Sequence, residues 1–499
     1  MVLASLLNKL KQAYNFLIPF FFGLSGVLAF APFSIKFLII PTYSYLIHLV
    51  FFSDYEQFKT KLILWTLGHW GIGVSWIIVS VYYYGNIGYA ASSIVYILFL
   101  ILIIIFAVAP IRLFKVQEMY NTSLYSIVYI SAALLLIELT RDFFFGGFPW
   151  LIPGTVSVDT LLSNILPIFG IAGASLLIYL GAAAVASFWN SSKKTAISIL
   201  AFTALFLIPF NEKNRTDNND FISVAIVQPS LDPRLKLKQT YKPLIQETLI
   251  KLSLTDSIQP DLIIWPEAEL PFVYKSREYY LLKERFSEST ELITGMWSFE
   301  GSELFNSLVN VKTDQIYKKQ HLVPFGEYIP FISSLRGIIS FFDMPMSNVK
   351  HGNKNQQNIA IFQDKTINFA PLICFDIAFS NTVRKSNKSS YFMINISNDT
   401  WFGKSIGPYH HLDITRVRAI ENNKWIIRST NDGFSAIITN NGTIVDIIEK
   451  GITGVINSGI NIEKERSLYN IYGYFIPYLL SILIIVISAI MFKCRKIHS

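Results

Sequence analysis

Cysteine is nearly absent from this sequence, in which Cys374 and Cys494 are the two cysteines among 499 residues. So few cysteines cannot build a disulfide framework, which excludes the class of small disulfide-stapled extracellular domains. Cys494 lies among basic residues near the end of the chain, in the segment MFKCRKIHS. Cys374 lies in PLICFDIAFS, away from the most apolar segments, and taken alone it is typical of a small buried core residue.

Charged residues are also scarce, at 15% of the chain, whereas apolar residues make up 52% and the mean hydropathy is +0.42. This balance is unusual for a soluble protein. The apolar residues are concentrated in 14–210 and 472–492, and the intervening stretch has an ordinary globular composition. The sequence therefore predicts a membrane domain at 1–210, a polar linker at 211–220, a globular domain at 221–466, and a last span with a basic tail at 467–499.

Eight membrane spans are predicted, because a helix needs roughly 20 apolar residues to cross the hydrocarbon core. They lie near 14–32, 35–52, 62–82, 88–110, 122–142, 165–188, 195–210 and 472–492. The first resembles a signal peptide, but Pro32 directly follows its small-residue site, so we expect it to stay uncleaved.

Basic residues flank alternate spans, which predicts that both termini are cytoplasmic and that the globular domain lies outside the cytoplasm. These residues are Lys9, Lys11, Lys59, Lys61, Arg112, Lys115, Lys193, Lys194, Lys493, Arg495 and Lys496. Because the net charge of +8 follows loop position, we expect no nucleic-acid partner.

The segment IELTRDFFFGGFPW places Glu138 and Arg141 near the end of the fifth predicted span. Ionisable residues at that depth pair with each other or line a polar cavity. Two interpretations fit: an i,i+3 ion pair that fixes the helix end, and contact with a polar lipid headgroup.

The globular stretch consists of short apolar runs separated by helix-like segments at 239–254 and 407–424. Such nearly continuous Val, Ile and Leu runs are typical of strands buried on both faces, which predicts an α/β domain. Predicted strands lie at 221–230, 261–270, 291–299, 306–311, 370–375, 391–397 and 434–440. The sequence contains no glycine-rich phosphate loop, HExxH or CxxC, and His410 and His411 would face different sides of a helix. We expect neither a metal nor a cofactor.

Three polar signals end or follow buried strands: Glu267 in IIWPEAELP, the lysines Lys318 and Lys319 in YKKQHLVPFGEYIP, and Cys374 in PLICF. Taken singly, they are typical of a loop carboxylate, a solvated lysine and a core cysteine. Together they could supply the base, the cation and the nucleophile of thiolate chemistry. Spacing alone does not establish that they converge.

The motifs WPE, HLVPFGEY, ICF and NDTWFG resemble the nitrilase superfamily, whose fold is an α-β-β-α sandwich with a Glu-Lys-Cys triad. With FAPF, GGFPW, DMPMS and RSTNDG, the layout resembles the membrane-embedded apolipoprotein N-acyltransferase family. The resemblance implies Glu267 as base and Cys374 as nucleophile. The family lysine lies two residues before the His-Leu pair, which selects Lys319 over Lys318 as the triad lysine.

The resemblance also assigns a supporting role to Glu327, in PFGEYIP. Phe375 and Asp376 stand where the family usually has an aromatic residue, often tyrosine, followed by glutamate. The aromatic ring here lacks the tyrosine hydroxyl, and the acid is one methylene shorter. Trp401 is a candidate for lining the thiol pocket, with a core position as its alternative. His411 and Arg416 are interpreted as structural residues of a helix.

The implied reaction moves an acyl chain from a phospholipid, through a thioacyl-cysteine, to the N-terminal diacylglyceryl-cysteine of an apolipoprotein. The implied setting is the bacterial inner membrane, with the enzyme acting as a monomer. The apolar segment 337–352, which contains Phe341 and Phe342, is predicted to be an arm that dips into the bilayer interface, unless it packs on its own domain. The alternatives are a membrane-tethered amidase for small C–N substrates and a transporter or receptor with an inert nitrilase-like domain.

Overall fold

The structure is a computed structural model that describes residues 16–84, 88–114, 124–143, 146–189, 191–208, 221–232, 241–254, 259–286, 290–324, 327, 349–354, 356–362 and 366–498. These residues divide into two units. The helical unit comprises the described residues of Met1–Val81, Gly88–Asn211 and Tyr474–Ser499. The α/β unit comprises those of Tyr82–Ile87 and Glu212–Gly473.

Helices make up the first part of the chain and recur at its end. They are α1 (Phe16–Leu28), α2 (Ile39–Phe52), α3 (Tyr55–Gly73), α4 (Trp76–Tyr84), α5 (Tyr89–Ile103), α6 (Leu124–Thr140), α7 (Leu166–Ser187), α8 (Ser192–Leu207) and, at the end, α14 (Ile476–His498). Each of the eight predicted spans overlaps one of these helices or, for 62–82, the α3–α4 pair. Pro41 does not interrupt α2, because it lies in the first turn, where a proline costs no backbone hydrogen bond.

Few of the helices in the described part of the chain are long and apolar enough to cross a membrane alone. Tyr89–Leu113 and Leu161–Ser187 meet both conditions. A third span exists if Glu56–Gly73 and Trp76–Tyr82, which are bent by 53° at their break, count as one. Shorter apolar helices of 10–17 residues are Phe16–Leu28, Lys36–Phe52, Leu124–Thr140 and Ile476–Met491. The count of eight spans therefore stays a prediction.

The two ionisable residues at the end of α6 form an ion pair, with Arg141 Nη2 lying 3.3 Å from Glu138 Oε2. Both side chains are buried. Tyr179 on α7 donates a hydrogen bond to Glu138 Oε2 at 2.7 Å, and Arg141 Nη1 donates to the Trp150 carbonyl at 3.0 Å. The ion-pair interpretation thus matches the structure, and the pair ties the end of α6 to α7 and to the following loop.

The described part of the α/β unit contains two six-stranded sheets. In chain order its elements are β1 (Phe221–Gln228), α9 (Lys242–Ser253), β2 (Leu262–Ile264), α10 (Arg277–Phe286), β3 (Glu291–Glu300), β4 (Glu303–Asn310), β5 (Gln315–Lys318), β6 (Ile359–Phe362), β7 (Thr366–Ile373), α11 (Ser380–Ser386), β8 (Phe392–Ser397), α12 (Gly407–Asn422), β9 (Ile426–Thr430), β10 (Ser435–Ile438), β11 (Ile444–Ile448), β12 (Gly454–Asn461) and α13 (Leu468–Tyr472). The strand orders are β12-β1-β2-β3-β4-β5 and β11-β10-β9-β8-β7-β6. In each sheet three neighbouring central strands run parallel and the outer pairings are antiparallel.

Strand β1 shows how the layers form. Ile222, Val224 and Ile226 point into the core shared with the second sheet, whereas Ala225 and Val227 pack on the side of α9 and α10. This alternation follows from the two-residue period of a strand, and a strand buried on both faces needs apolar residues at every position. The predicted α/β domain is confirmed in this respect.

Candidate active site

The three polar residues predicted from strand ends are brought together in the α/β unit. Glu267 follows β2, Lys319 follows β5 directly, and Cys374 follows β7 in the other sheet. All three are buried, with exposures of 5%, 1% and 8%. Lys319 Nζ lies 3.0 Å from Glu267 Oε1, and both charges act on the Cys374 thiol.

Lys319 lies between two carboxylates. Its Nζ is 2.9 Å from Glu327, the residue predicted to support the site. Asn306 on β4 donates from Nδ2 to Glu267 Oε1 at 2.7 Å and to Glu327 Oε1 at 3.1 Å. A Glu–Lys–Glu cluster held by one amide therefore fixes both the charge and the position of the ammonium group. Asn306 was missed by the sequence analysis, whose predicted strand NSLVNV begins with it.

The electrostatics keep the lysine charged. Burial lowers the pKa of Lys319, but the negative charges of Glu267 and Glu327 outweigh it and raise the pKa well above its usual value. Lys319 is therefore an ammonium ion throughout the physiological pH range. A buried ammonium group is suited to stabilising negative charge that develops beside it.

The surroundings of the Cys374 thiol favour its neutral form. Burial raises the pKa of Cys374, and the Glu267 charge raises it further, against the lowering effect of Lys319. The resting side chain is therefore a thiol rather than a thiolate at neutral pH. Such a thiol needs a base at the moment of reaction, and Glu267 is the carboxylate that acts on it most strongly.

Cys374 opens a tight turn, Cys374–Ala378, at the end of β7. Its φ of 47° lies in the left-handed region, which is unfavourable for a residue with a Cβ atom. The turn is held from the α12 side by Arg418, which donates to the carbonyls of Ile377 at 3.0 Å and Ala378 at 2.8 Å. Surrounding contacts therefore impose a backbone conformation that the residue alone would avoid.

Asp376 joins the cysteine turn to the lysine loop. Its buried carboxylate accepts hydrogen bonds from His321 N at 2.7 Å, Tyr317 Oη at 3.0 Å and Ile373 N at 3.2 Å. Burial nevertheless raises the pKa of Asp376 to about 7, against the effect of these donors. The shorter acid thus reaches groups from both sheets, which places Lys319 and Cys374 in a fixed relation.

The aromatic residue beside it takes part in packing. The Phe375 ring meets the Phe379 ring edge-on at 5.1 Å, and Phe379 stacks on the His321 ring at 3.6 Å. This stack adds a second connection between the cysteine turn and the loop that follows Lys319.

The remaining predicted site residues are Trp401, Phe341 and Phe342. Trp401 is half-buried in the turn Asp399–Phe402, and its pocket role stays a prediction. Phe341 and Phe342 lie outside the described residues. The end of their segment is described: Val349 N donates to the Glu327 carbonyl at 3.3 Å, and Gly352 N donates to the Lys319 carbonyl at 2.7 Å.

Gly295 on β3 makes room for the Glu267 loop. A Cβ atom there would lie 2.5 Å from Ala268 N and 2.6 Å from Glu267 Cα. We expect Gly295→Ala to lower the free energy of unfolding by about 1–3 kcal/mol, because the clash is with backbone. Gly454→Ala is the control, since its Cβ would meet Ile448 at an ordinary 3.5 Å. Equal thermal unfolding midpoints of the two variants in detergent would contradict the expectation.

Two family models match this chain. The model for the apolipoprotein N-acyltransferase N-terminal domain matches residues 22–184, and the carbon-nitrogen hydrolase model matches residues 223–469. The second match covers the two-sheet α/β domain with the clustered Glu267, Lys319 and Cys374. The domain is therefore of the carbon-nitrogen hydrolase type.

Curated relatives extend over nearly the whole chain. An apolipoprotein N-acyltransferase of Haemophilus influenzae is 30% identical over 98% of this chain and 97% of its own. Those of Pseudomonas syringae pv. tomato and Vibrio vulnificus are 32% and 30% identical, over 81% and 91% of this chain and 82% and 92% of their own. The resemblance drawn from short motifs is thereby confirmed. The chain belongs to the apolipoprotein N-acyltransferase family.

Proposed function

We propose that this protein transfers an acyl chain from a phospholipid to the α-amino group of the N-terminal diacylglyceryl-cysteine of an apolipoprotein. The observation that carries the proposal is the buried cysteine on a left-handed turn beside the Glu267–Lys319–Glu327 cluster, in a chain of this family. Both substrates carry lipid chains, which fits a chain that also contains a helical unit with apolar, membrane-length helices.

The first half-reaction acylates the enzyme. Glu267 takes the thiol proton of Cys374, and Sγ attacks the ester carbonyl of the phospholipid, at the sn-1 chain. Lys319 stabilises the oxyanion of the tetrahedral intermediate. The ester C–O bond then breaks, the lysophospholipid oxygen receives the proton from Glu267, and a thioester remains on Cys374.

The second half-reaction is aminolysis, so the mechanism is ping-pong. The neutral α-amine of the acceptor attacks the thioester carbonyl, and Lys319 again stabilises the oxyanion. The C–S bond breaks, Glu267 passes the amine proton to Sγ, and the product is an amide. Because water would compete for the thioester, the deep burial of the three side chains favours transfer over hydrolysis.

The site is proposed to meet the bilayer through the arm 337–352. Phe341 and Phe342 would lie in the lipid interface, and Trp401 would line the thiol pocket. The arm ends at Val349–Gly352, whose backbone bonds to that of Glu327 and Lys319. These two bonds connect the described end of the arm to the backbone of the residues beside the thiol.

The proposed setting is the bacterial inner membrane, crossed by eight spans, with a monomeric enzyme and both termini in the cytoplasm. The globular domain, within the proposed limits 221–466, lies on the outer side. The alternation of basic loops supports this orientation. The eight helices or helix pairs that overlap the predicted spans support the count.

A reconstituted reaction tests the proposed function. Purified protein is mixed with phospholipid labelled in its sn-1 chain and with a diacylated lipopeptide that has a free amino terminus. We expect the lipopeptide to gain one labelled amide-linked chain, and Cys374 to carry a thioacyl group when the acceptor is omitted. Intact-mass and peptide-mapping spectrometry detect both products. Hydrolysis of small amides without any transfer to lipopeptide would favour a tethered amidase and defeat the proposal.

A further inference from the structure

The carbonyl of the strained cysteine has a side-chain partner. His411 on α12 is buried, and its Nε2 lies 3.3 Å from Cys374 O. A carbonyl oxygen can only accept, so Nε2 carries the proton and donates it. This contact adds to those of Arg418 and acts on the residue whose φ is 47°.

The imidazole of His411 is itself held in one orientation. Its Nδ1 lies 3.0 Å from Arg428 Nη2 and 2.9 Å from Asp399 Oδ1. Arg428 Nη2 also pairs with Asp399 Oδ2 at 2.7 Å, and Ser397 Oγ donates to Asp399 Oδ1 at 2.8 Å. With its proton on Nε2, the neutral ring donates to the Cys374 carbonyl and accepts from Arg428 at Nδ1. Asp399 receives no hydrogen bond from the ring in this state, and its carboxylate accepts from Ser397 and Arg428 instead.

The charges around His411 favour the neutral imidazole ring. Burial, followed by the neighbouring Arg428 charge, lowers the pKa of His411 below its usual value. Burial alone would raise the pKa of Asp399, but the Arg428 charge holds it well below its usual range. The result is a fixed Asp399–Arg428 ion pair and an uncharged imidazole with a defined tautomer.

The contact with the cysteine carbonyl also fixes the next peptide N–H. The C=O of Cys374 and the N–H of Phe375 belong to one planar trans peptide and point in opposite directions. Holding the carbonyl toward His411 therefore turns the Phe375 N–H away from α12. A rigid N–H directly after the nucleophile is the kind of donor that can serve an oxyanion.

We propose that His411 is a positioning residue, whose Nε2–H holds the Cys374 carbonyl and so keeps the nucleophile turn in its left-handed conformation. Asp399 and Arg428 act through it by fixing the ring. The motifs NDTWFG and RSTNDG supply these two residues. They therefore act on Cys374 indirectly, through the His411 ring and the Cys374 carbonyl. The inference rests on the proposed role of Cys374 as nucleophile.

Two substitutions of His411 separate positioning from packing. A glutamine amide extends as far as Nε2 of histidine, whereas an asparagine amide extends only as far as Nδ1. We expect His411→Gln to form the thioester at a rate within about threefold of the wild type, and His411→Asn to be slower by about 30-fold at unchanged KM for phospholipid. Single-turnover acylation, followed by intact mass, measures the rate.

Alkylation of Cys374 by iodoacetamide, mapped by mass spectrometry, reports on the turn without any lipid. We expect the pH midpoint of alkylation in His411→Asn to move by about one pH unit toward that of a free thiol, and His411→Gln to keep the wild-type midpoint. Equal behaviour of the two variants, or losses that merely follow their thermal unfolding midpoints, would overturn the proposal. If the wild type formed no thioester while the alkylation profiles still differed, the proposed function would fail and the positioning role would stand.

Discussion

The Cys374→Ala variant is expected to form neither a thioester nor an N-acylated lipopeptide. The substitution removes the atom that carries the acyl chain in the proposed mechanism, so the loss should exceed about 10³-fold, as for other covalent nucleophiles. Labelled-lipid transfer and intact mass measure it. Because the change removes only one sulfur atom from the core, the thermal unfolding midpoint should remain close to that of the wild type.

The other cysteine supplies a matched control. Cys494→Ala changes the same residue type in the basic terminal segment and is expected to leave transfer unchanged. If Cys374→Ala transferred acyl chains as fast as Cys494→Ala, the thioester mechanism would have to be abandoned.

Glu267→Gln is expected to move catalysis and thiol reactivity in opposite directions. The amide keeps an oxygen that can accept from Lys319 and Asn306, but it cannot take a proton, so transfer should fall by about 10²–10⁴-fold. The Glu267 charge raises the pKa of Cys374, so its removal lowers that pKa. At a fixed neutral pH the thiolate fraction then increases, and iodoacetamide should alkylate Cys374 faster than in the wild type.

Glu291→Gln serves as its control. Glu291 is also buried and belongs to the same sheet, but it lies at the start of β3 and accepts from Asn310 at 2.7 Å. Alkylation and transfer should both keep their wild-type rates in this variant. A fall in Cys374 alkylation in Glu267→Gln, alongside the fall in transfer, would contradict the assigned charge effect.

Strands that are buried on both faces could be predicted well from the sequence. The run 221–230 corresponds to β1 and the run 391–397 to β8. A continuous apolar stretch can be recognised as a buried strand from the local sequence alone, without knowing which strands pair with it. The predicted run 261–270 was too long, because β2 ends at Ile264. Strands β5, β6, β9, β11 and β12 were not predicted. In β11, Val445 and Ile447 are exposed. The strand is therefore not buried on both faces, which is the pattern that the prediction relied on.

The residues of the candidate site likewise divide into those that the sequence predicted and those that it did not. Glu267, Lys319 and Cys374 could be selected from strand ends and motifs, whereas Asn306 and the contact of His411 could not. Lys319 N donates to the Asn306 carbonyl because of the β4–β5 register, which no local pattern encodes. His411 was interpreted as structural, and its contact with a carbonyl 37 positions away depends on how α12 packs on the second sheet.

The hydrogen bonds of Asp376 across the two sheets bear on how the candidate site forms during folding. Its carboxylate accepts hydrogen bonds from Tyr317 in the first sheet, from His321 in the loop that follows that strand, and from Ile373 in the second sheet. Neither sheet alone therefore holds both the cation and the thiol in their working arrangement. The proposed chemistry therefore requires both halves of the sandwich, and we expect a partly folded chain to carry an ordinary cysteine and no acyl-transfer site.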